Sequence, residues 1–316
     1  MSRFFDLVQR LNHETDNSSV SFARVPSQST QVASSELDKT LSVLLPHKAS
    51  HPSKTENGSE SRQLSSMLMP EGGGHLENPE KSSEFLNIPV EEVHIDPASR
   101  IVSYTDPSSP AADRFRFLRM RLRELWNTKK LRTLLITSPL PEDGKSTIAL
   151  NLATALAEGG KRSVLLIEAD LHRTPFTGQL RLKDGPGLGE CLEGGLNPLS
   201  AVRRLEPLGW YLLTAGQPQR NPTDLLQGDA LSVVIQKLSP HFDWILIDSP
   251  PVIPLTDALS LARQANASLL VARAGRTPSE ALEKAITLLG RQHVLGVVLN
   301  GVEEVDRLYS GYYSYS

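Results

Sequence analysis

The run Leu134-Leu135-Ile136-Thr137-Ser138-Pro139-Leu140-Pro141-Glu142-Asp143-Gly144-Lys145-Ser146-Thr147 joins an apolar stretch to a helical one through a short turn. A turn that ends in Gly-Lys-Ser-Thr and opens a helix suits an anion, because the unpaired N–H groups of the first helical turn and the helix dipole both favour phosphate. Lys145 can reach the terminal phosphates of ATP and the Ser146 hydroxyl can ligate Mg²⁺, with Pro141, Glu142, Asp143, Gly144 and Thr147 forming the rest of the cradle. Pro139 stands where such loops usually have their first glycine, and it has no N–H to offer. Glu142 and Asp143 bring two negative charges to an anion site, so both are expected to point outward.

Two further apolar runs end in acid. Val164–Ile167 leads into Glu168-Ala169-Asp170, and Ile245–Ile247 into Asp248-Ser249-Pro250-Pro251. In an open α/β sheet, ligands bind outside the carboxyl ends of the strands. Both acidic ends therefore fall where the Mg²⁺ of a nucleotide would lie. Asp248 is expected to hold the metal directly or through water, and Asp170 to bind its hydration shell. Glu168 is expected to accept a proton from an attacking hydroxyl or to orient water. One carboxylate after a strand is more often a helix cap; two of them together with the phosphate loop carry the metal reading.

The elements that position these groups follow from hydrophobic patterning. Short apolar runs at Leu134–Thr137, Val164–Ile167, Tyr211–Leu213, Ile245–Ile247, Leu269–Val271 and Val294–Leu299 alternate with helical patterns such as Thr147–Glu158, which Gly159-Gly160 stops. This order predicts an α/β fold: a doubly wound, mostly parallel sheet with helices on both faces. Ahead of it, Ala111–Trp126 carries Phe115, Leu118, Leu122, Leu125 and Trp126 at helical spacing, and Arg114, Arg116, Arg119, Arg121 and Arg123 on its other faces. That pattern is a basic amphipathic helix.

Composition bounds the rest. The 316 residues carry a formal net charge of −3, which gives no reason to expect a nucleic-acid partner. The single cysteine, Cys191, excludes an intramolecular disulfide framework. With no run of eighteen apolar residues and no signal-peptide core, the chain is expected in the cytoplasm, meeting the membrane's inner face only through a partner. Residues 12–87 are rich in Ser, Glu, Asn and Pro and are expected to be a disordered linker, since they bury too little apolar surface to offset ordering entropy. In residues 1–11, Phe4, Leu7, Val8 and Leu11 share one helical face, the pattern either of a docking peptide or of a frayed end. Residues 88–308 then form the folded domain. The tail 309–316 holds four of the six tyrosines and has little to pack with.

Taken in order, the phosphate loop, Glu168-Ala169-Asp170-Leu171-His172-Arg173 and Asp248-Ser249-Pro250-Pro251 resemble the Walker A, Walker A′ and Walker B motifs of the bacterial tyrosine kinases, polysaccharide-biosynthesis autokinases on a MinD/ParA-type P-loop fold. Asp113-x-x-Arg116-x-x-Arg119 resembles the family's oligomerisation motif, and Asn221-Pro222-Thr223-Asp224-Leu225-Leu226 its Asn-Pro-x-Glu-Leu-Leu segment. Val298-Leu299-Asn300 resembles the strand end whose Asn reads adenine, and Tyr309, Tyr312, Tyr313 and Tyr315 resemble the autophosphorylation cluster.

The resemblance implies an ATP- and Mg²⁺-dependent protein-tyrosine autokinase. It would phosphorylate tail tyrosines of another copy within a ring-forming homo-oligomer and so regulate exopolysaccharide assembly or export. It also implies a separate membrane-embedded polysaccharide co-polymerase as activator, as in the split form of the family, and an opposing tyrosine phosphatase. Four positions depart from the pattern. Glu168 and Asp113 exchange Asp and Glu, His172 stands where the family usually has Arg, and Glu142 where it has Gly. Two alternatives stay open. A MinD/ParA-like ATPase switch would carry a second lysine where Leu140 stands and would end in a membrane helix rather than in tyrosines. A nucleotide-binding scaffold with degenerate kinase activity would owe its weakness to Glu142 and Glu168.

Overall fold

The computed structural model describes residues 83–253 and 256–302, together with the backbone of Ala23–Val25. Among the described residues, nine strands form one sheet: β1 (Ala23–Val25), β2 (Val90–Glu92), β3 (Thr133–Thr137), β4 (Val164–Glu168), β5 (Arg203–Glu206), β6 (Trp210–Leu213), β7 (Trp244–Asp248), β8 (Ala267–Arg273) and β9 (Val294–Asn300). Their order is β1-β9-β8-β3-β7-β4-β6-β5-β2. Every neighbouring pair is parallel except β5–β6. The helices are α1 (Ser83–Leu86), α2 (Val102–Thr105), α3 (Pro110–Lys129), α4 (Lys145–Ala157), α5 (Pro175–Gln179), α6 (Leu188–Leu192), α7 (Pro198–Ala201), α8 (Pro222–Gln227), α9 (Ala230–Leu238), α10 (Asp257–Gln264) and α11 (Ser279–Leu289).

The central strands β3, β4 and β7 are buried along their whole length, which is why their sequences are apolar without alternation. Alternation appears instead in the partners. Leu135, Leu165, Ile167, Ile245 and Ile247 face one core with Leu231, Val234, Leu261 and Leu282 from α9, α10 and α11. Leu134, Ile136, Val164, Leu166 and Leu246 face the other with Phe115 and Leu118 of α3 and Ile148 and Leu152 of α4. Side chains one residue apart on a strand thus serve opposite layers. Helix α3 begins where Ser109 accepts a hydrogen bond from the Ala112 N–H and Pro110 occupies the first helical position.

All six expected strands are present, most of them longer by a residue or two. Periodicity missed β2 and β5, because both lie at the polar edge of the sheet. There Arg203 Nη1 meets Glu91 Oε2 at 2.9 Å, and backbone pairing rather than apolar burial holds the strands. The folded part also starts earlier than the expected Ile88. Phe85 of α1 is buried against Tyr211 and Phe242, at centroid distances of 5.3 and 5.4 Å. Ala23–Val25, inside the expected linker 12–87, pairs in parallel with β9. The amphipathic peptide 1–11, the remainder of the linker through residue 82, and the tyrosine tail 309–316 lie outside the described residues. Among those described, no helix is long and apolar enough to cross a membrane.

Candidate functional site

Strand β3 delivers the chain to the loop, and α4 leaves it at Lys145. The turn between them depends on Gly144, which caps α4 with φ at 97°, a conformation L side chains rarely adopt. A Cβ at this position would also collide with the Asn300 side-chain amide. Four of the expected groups converge here. Lys145 Nζ lies 3.3 Å from Asp170 Oδ2 and 3.9 Å from Asp248 Oδ2. The Ser146 hydroxyl donates to Asp248 Oδ2 at 2.7 Å. The ammonium therefore rests on carboxylates from the ends of β4 and β7, at the N-terminus of α4 where phosphate is favoured.

Asp248 has no exposed surface, and burial pushes its pKa up to about 6 against the opposing pull of Lys145 and Ser146; Asp170 adds to the rise. Its second oxygen, Oδ1, is buried with no hydrogen-bond partner. An orphaned carboxylate oxygen beside a serine hydroxyl and a second aspartate is costly to maintain, and the donor set fits Mg²⁺, a hard cation that takes oxygen ligands. Among the described residues, no group of three or more His, Cys, Asp and Glu side chains could hold a metal. That agrees with the usual Mg²⁺ arrangement, in which one or two carboxylates act together with substrate phosphates. Asp170 is buried, and its Oδ1 accepts the Arg173 N–H at 3.1 Å, which fixes the turn after β4.

Glu168 is placed differently from Asp170. It lies in register with Asp248 across β4–β7, it is fully buried, and both its oxygens are engaged by backbone. Phe176 N donates to Oε1 at 2.8 Å and Ala215 N to Oε2 at 3.0 Å. Burial raises its pKa to about 7, opposed by these two hydrogen bonds and reinforced by Asp248 and Asp170. In this geometry Glu168 ties the start of α5 to the chain after β6.

The two loop acids divide. Glu142 points outward as expected, and its carboxylate meets Arg276 Nη2 at 2.6 Å. Asp143 was expected outward as well, and the structure buries it instead. Its charge is tolerated there because Thr277 Oγ1 donates to Oδ1 at 2.7 Å and Leu140 N to Oδ2 at 3.1 Å, although burial still raises its pKa. Asn300, expected to read adenine, donates from Nδ2 to the Asp143 carbonyl at 2.9 Å and so braces the loop. Pro141 is exposed at the loop's tip, and Thr147 is half-buried in the first turn of α4.

Sequence reading missed two sets of residues. The turn after β8, with Arg273, Arg276 and Thr277, grips the phosphate loop from more than a hundred residues away. His172 Nε2 lies 2.8 Å from Oδ2 of the buried Asp257 at the start of α10, joining the turn after β4 to the segment that follows β7. The only available signal was His172 as a departure from the motif; Asp257 reads locally as an ordinary acidic residue in a first helical turn.

The Asp113-x-x-Arg116-x-x-Arg119 residues find partners within their own chain. Arg116 bonds both Asp113 and the Pro107 carbonyl. Arg119 Nη1 donates to the Ala155 carbonyl at 3.2 Å, near the C-terminus of α4. Tyr309, Tyr312, Tyr313 and Tyr315 lie outside the described residues.

No family model matches the chain. Among curated proteins it is similar to the tyrosine-protein kinase YwqD of Bacillus subtilis (strain 168), with 30% identity over 215 residues, covering 67% of this chain and 90% of that relative. It is also similar to the tyrosine-protein kinase ptk of Acinetobacter johnsonii, with 31% identity over 214 residues; there the match spans 67% of this chain and only 29% of the relative. Among solved structures, the kinase domain of the Escherichia coli tyrosine kinase ETK aligns with a TM-score of 0.61 at 28% identity, over 65% of this chain and 81% of that one.

Proposed function

The chain belongs to the bacterial tyrosine-protein kinases, and from that premise we propose that it is an ATP-dependent protein-tyrosine autokinase whose acceptors are Tyr309, Tyr312, Tyr313 and Tyr315 of another copy. The observation that carries this reading is the convergence of Lys145, Ser146 and Asp170 on the buried Asp248 carboxylate, whose Oδ2 takes the serine hydroxyl while its Oδ1 has no partner, at a helix N-terminus. A magnesium nucleotide bound there would supply the phosphoryl group. Lys145 would turn from the carboxylates to the terminal phosphates, while Ser146 Oγ and the Asp248 carboxylate would hold the metal.

Phenol has a pKa near ~10 and is a poor nucleophile until a base takes its proton. Glu168 is occupied by backbone N–H groups on both oxygens. Asp170 Oδ2 is instead released when Lys145 moves to phosphate, and it is the base this reading assigns. Loss of the phenolic proton to Asp170 accompanies bonding of the tyrosine oxygen to the transferred phosphorus and departure of ADP. The biological setting that goes with the proposal is the one the resemblance implies. It comprises control of exopolysaccharide assembly or export at the membrane's inner face, a membrane-embedded co-polymerase as activator, a ring of copies and a tyrosine phosphatase.

Intact-mass measurement after incubation with Mg-ATP, with and without the activator's cytoplasmic peptide, tests the proposal. Added phosphates that map to the tail and disappear in Lys145→Met are expected. Release of inorganic phosphate with no protein phosphorylation under either condition would replace the kinase by an ATPase switch.

A further inference from the structure

Glu142 is unexplained by the chemistry above. It is a carboxylate inside an anion cradle, and its φ of 63° lies in the left-handed region that glycine enters more cheaply. Its neighbours account for its tolerance. Arg276 Nη2 donates to Oε2 at 2.6 Å, and Arg273 Nη1 donates to the Glu142 carbonyl at 3.3 Å; both come from the end of β8 and the turn beyond it. Arg173, on the turn after β4, adds a third positive charge that acts on the same carboxylate. The β8–α11 turn is itself fastened to the loop, since Thr277 Oγ1 donates to Asp143 Oδ1 at 2.7 Å and accepts the Arg273 N–H at 2.7 Å.

We propose that Arg276 is a positioning residue for nucleotide binding, which neutralises Glu142 and holds it away from the phosphate site so that an acidic loop can accept a polyanion. The inference rests on the nucleotide reading above. The two side chains remain 53% and 63% exposed, so their pairing contributes little to the stability of the fold. Its effect is on the field at the loop. Without the guanidinium, Glu142 loses its direct ion pair and keeps only the weaker pull of Arg173 and Arg273, so near the N-terminus of α4 it repels phosphate and competes for the same N–H groups. A role as mere bracing and a role as charge masking differ in one respect: only masking becomes unnecessary once Glu142 is removed.

Calorimetric titration of the full chain with Mg-ADP separates the two. Arg276→Ala is expected to raise Kd about 3- to 10-fold at low salt, the scale of one partly screened unit charge several ångströms from the phosphates, with the loss shrinking as salt rises. Arg276→Lys retains the charge and most of the affinity. Combining Arg276→Ala with Glu142→Gln, which removes the charge and keeps a side chain at the same backbone angle, restores the wild-type Kd, and melting temperatures are the same across the set. Wild-type affinity in Arg276→Ala, or a double variant as weak as the single one, overturns the inference while leaving nucleotide binding intact. Failure of the wild-type chain to take up Mg-ADP at all removes the nucleotide reading, and this inference with it.

Discussion

Between about pH 5 and pH 8 the folded chain must give up a proton that the unfolded chain has already lost. Glu168 is fully buried, and burial carries its pKa from the usual 4.5 to about 7. Below 4.5 both states hold the proton; between 4.5 and about 7 only the folded state does; above that neither does. The stability that this proton confers is thus complete at low pH and lost as pH rises through about 7. At about 1.4 kcal/mol per pKa unit, the gap from 4.5 to about 7 amounts to about 3 kcal/mol, most of it falling between pH 5 and pH 8. Asp248, raised to about 6, acts in the same direction. Urea denaturation in EDTA at one-unit pH intervals, on wild type and Glu168→Gln, isolates the Glu168 contribution. The variant cannot ionise, and its amide sets an NH₂ against one of the two backbone N–H groups, so it is less stable at pH 5. Its deficit should narrow by about 2 to 3 kcal/mol on reaching pH 8. A deficit that stays constant or widens with pH would refute the assignment of a buried, proton-holding carboxylate at this position.

Gly144→Ala places a Cβ against the Asn300 amide at a φ of 97°, so the loop must shift; Mg-ADP affinity should fall by about tenfold or more while the far-ultraviolet circular dichroism is retained. Arg119→Ala removes a donor from the Ala155 carbonyl near the end of α4 and should cost about 1 kcal/mol, or a few degrees in melting temperature by scanning calorimetry. An unchanged melting temperature would assign that arginine to contacts between copies instead.

Six of the nine described strands, the two-faced sheet and the phosphate loop were legible from residue patterns. Runs such as Leu134-Leu135-Ile136 and Ile245-Leu246-Ile247 are apolar without alternation because parallel strands are covered on both sides. The rule that ligands sit beyond strand ends was enough to bring Asp170 and Asp248 to Lys145. The strands β2 and β5, the last two at one end of the sheet, were not legible, since residues such as Arg203 and Glu91 carry no apolar period and gain their structure from each other.

By itself, then, the sequence determined the α/β architecture and the identity of the lysine, serine and aspartates around which the site is built. Hydrophobic period and strand-to-helix order are local properties that recur within a few residues. The tertiary structure alone decided what each polar group does. It turned Glu168 onto the N–H groups of Phe176 and Ala215 and left Asp170, two residues on, beside the lysine. It also joined His172 to Asp257 and brought Arg276 and Thr277 onto the phosphate loop. A hydrogen bond between side chains far apart in the chain depends on where the fold brings two atoms together, and it leaves no periodic trace at either end.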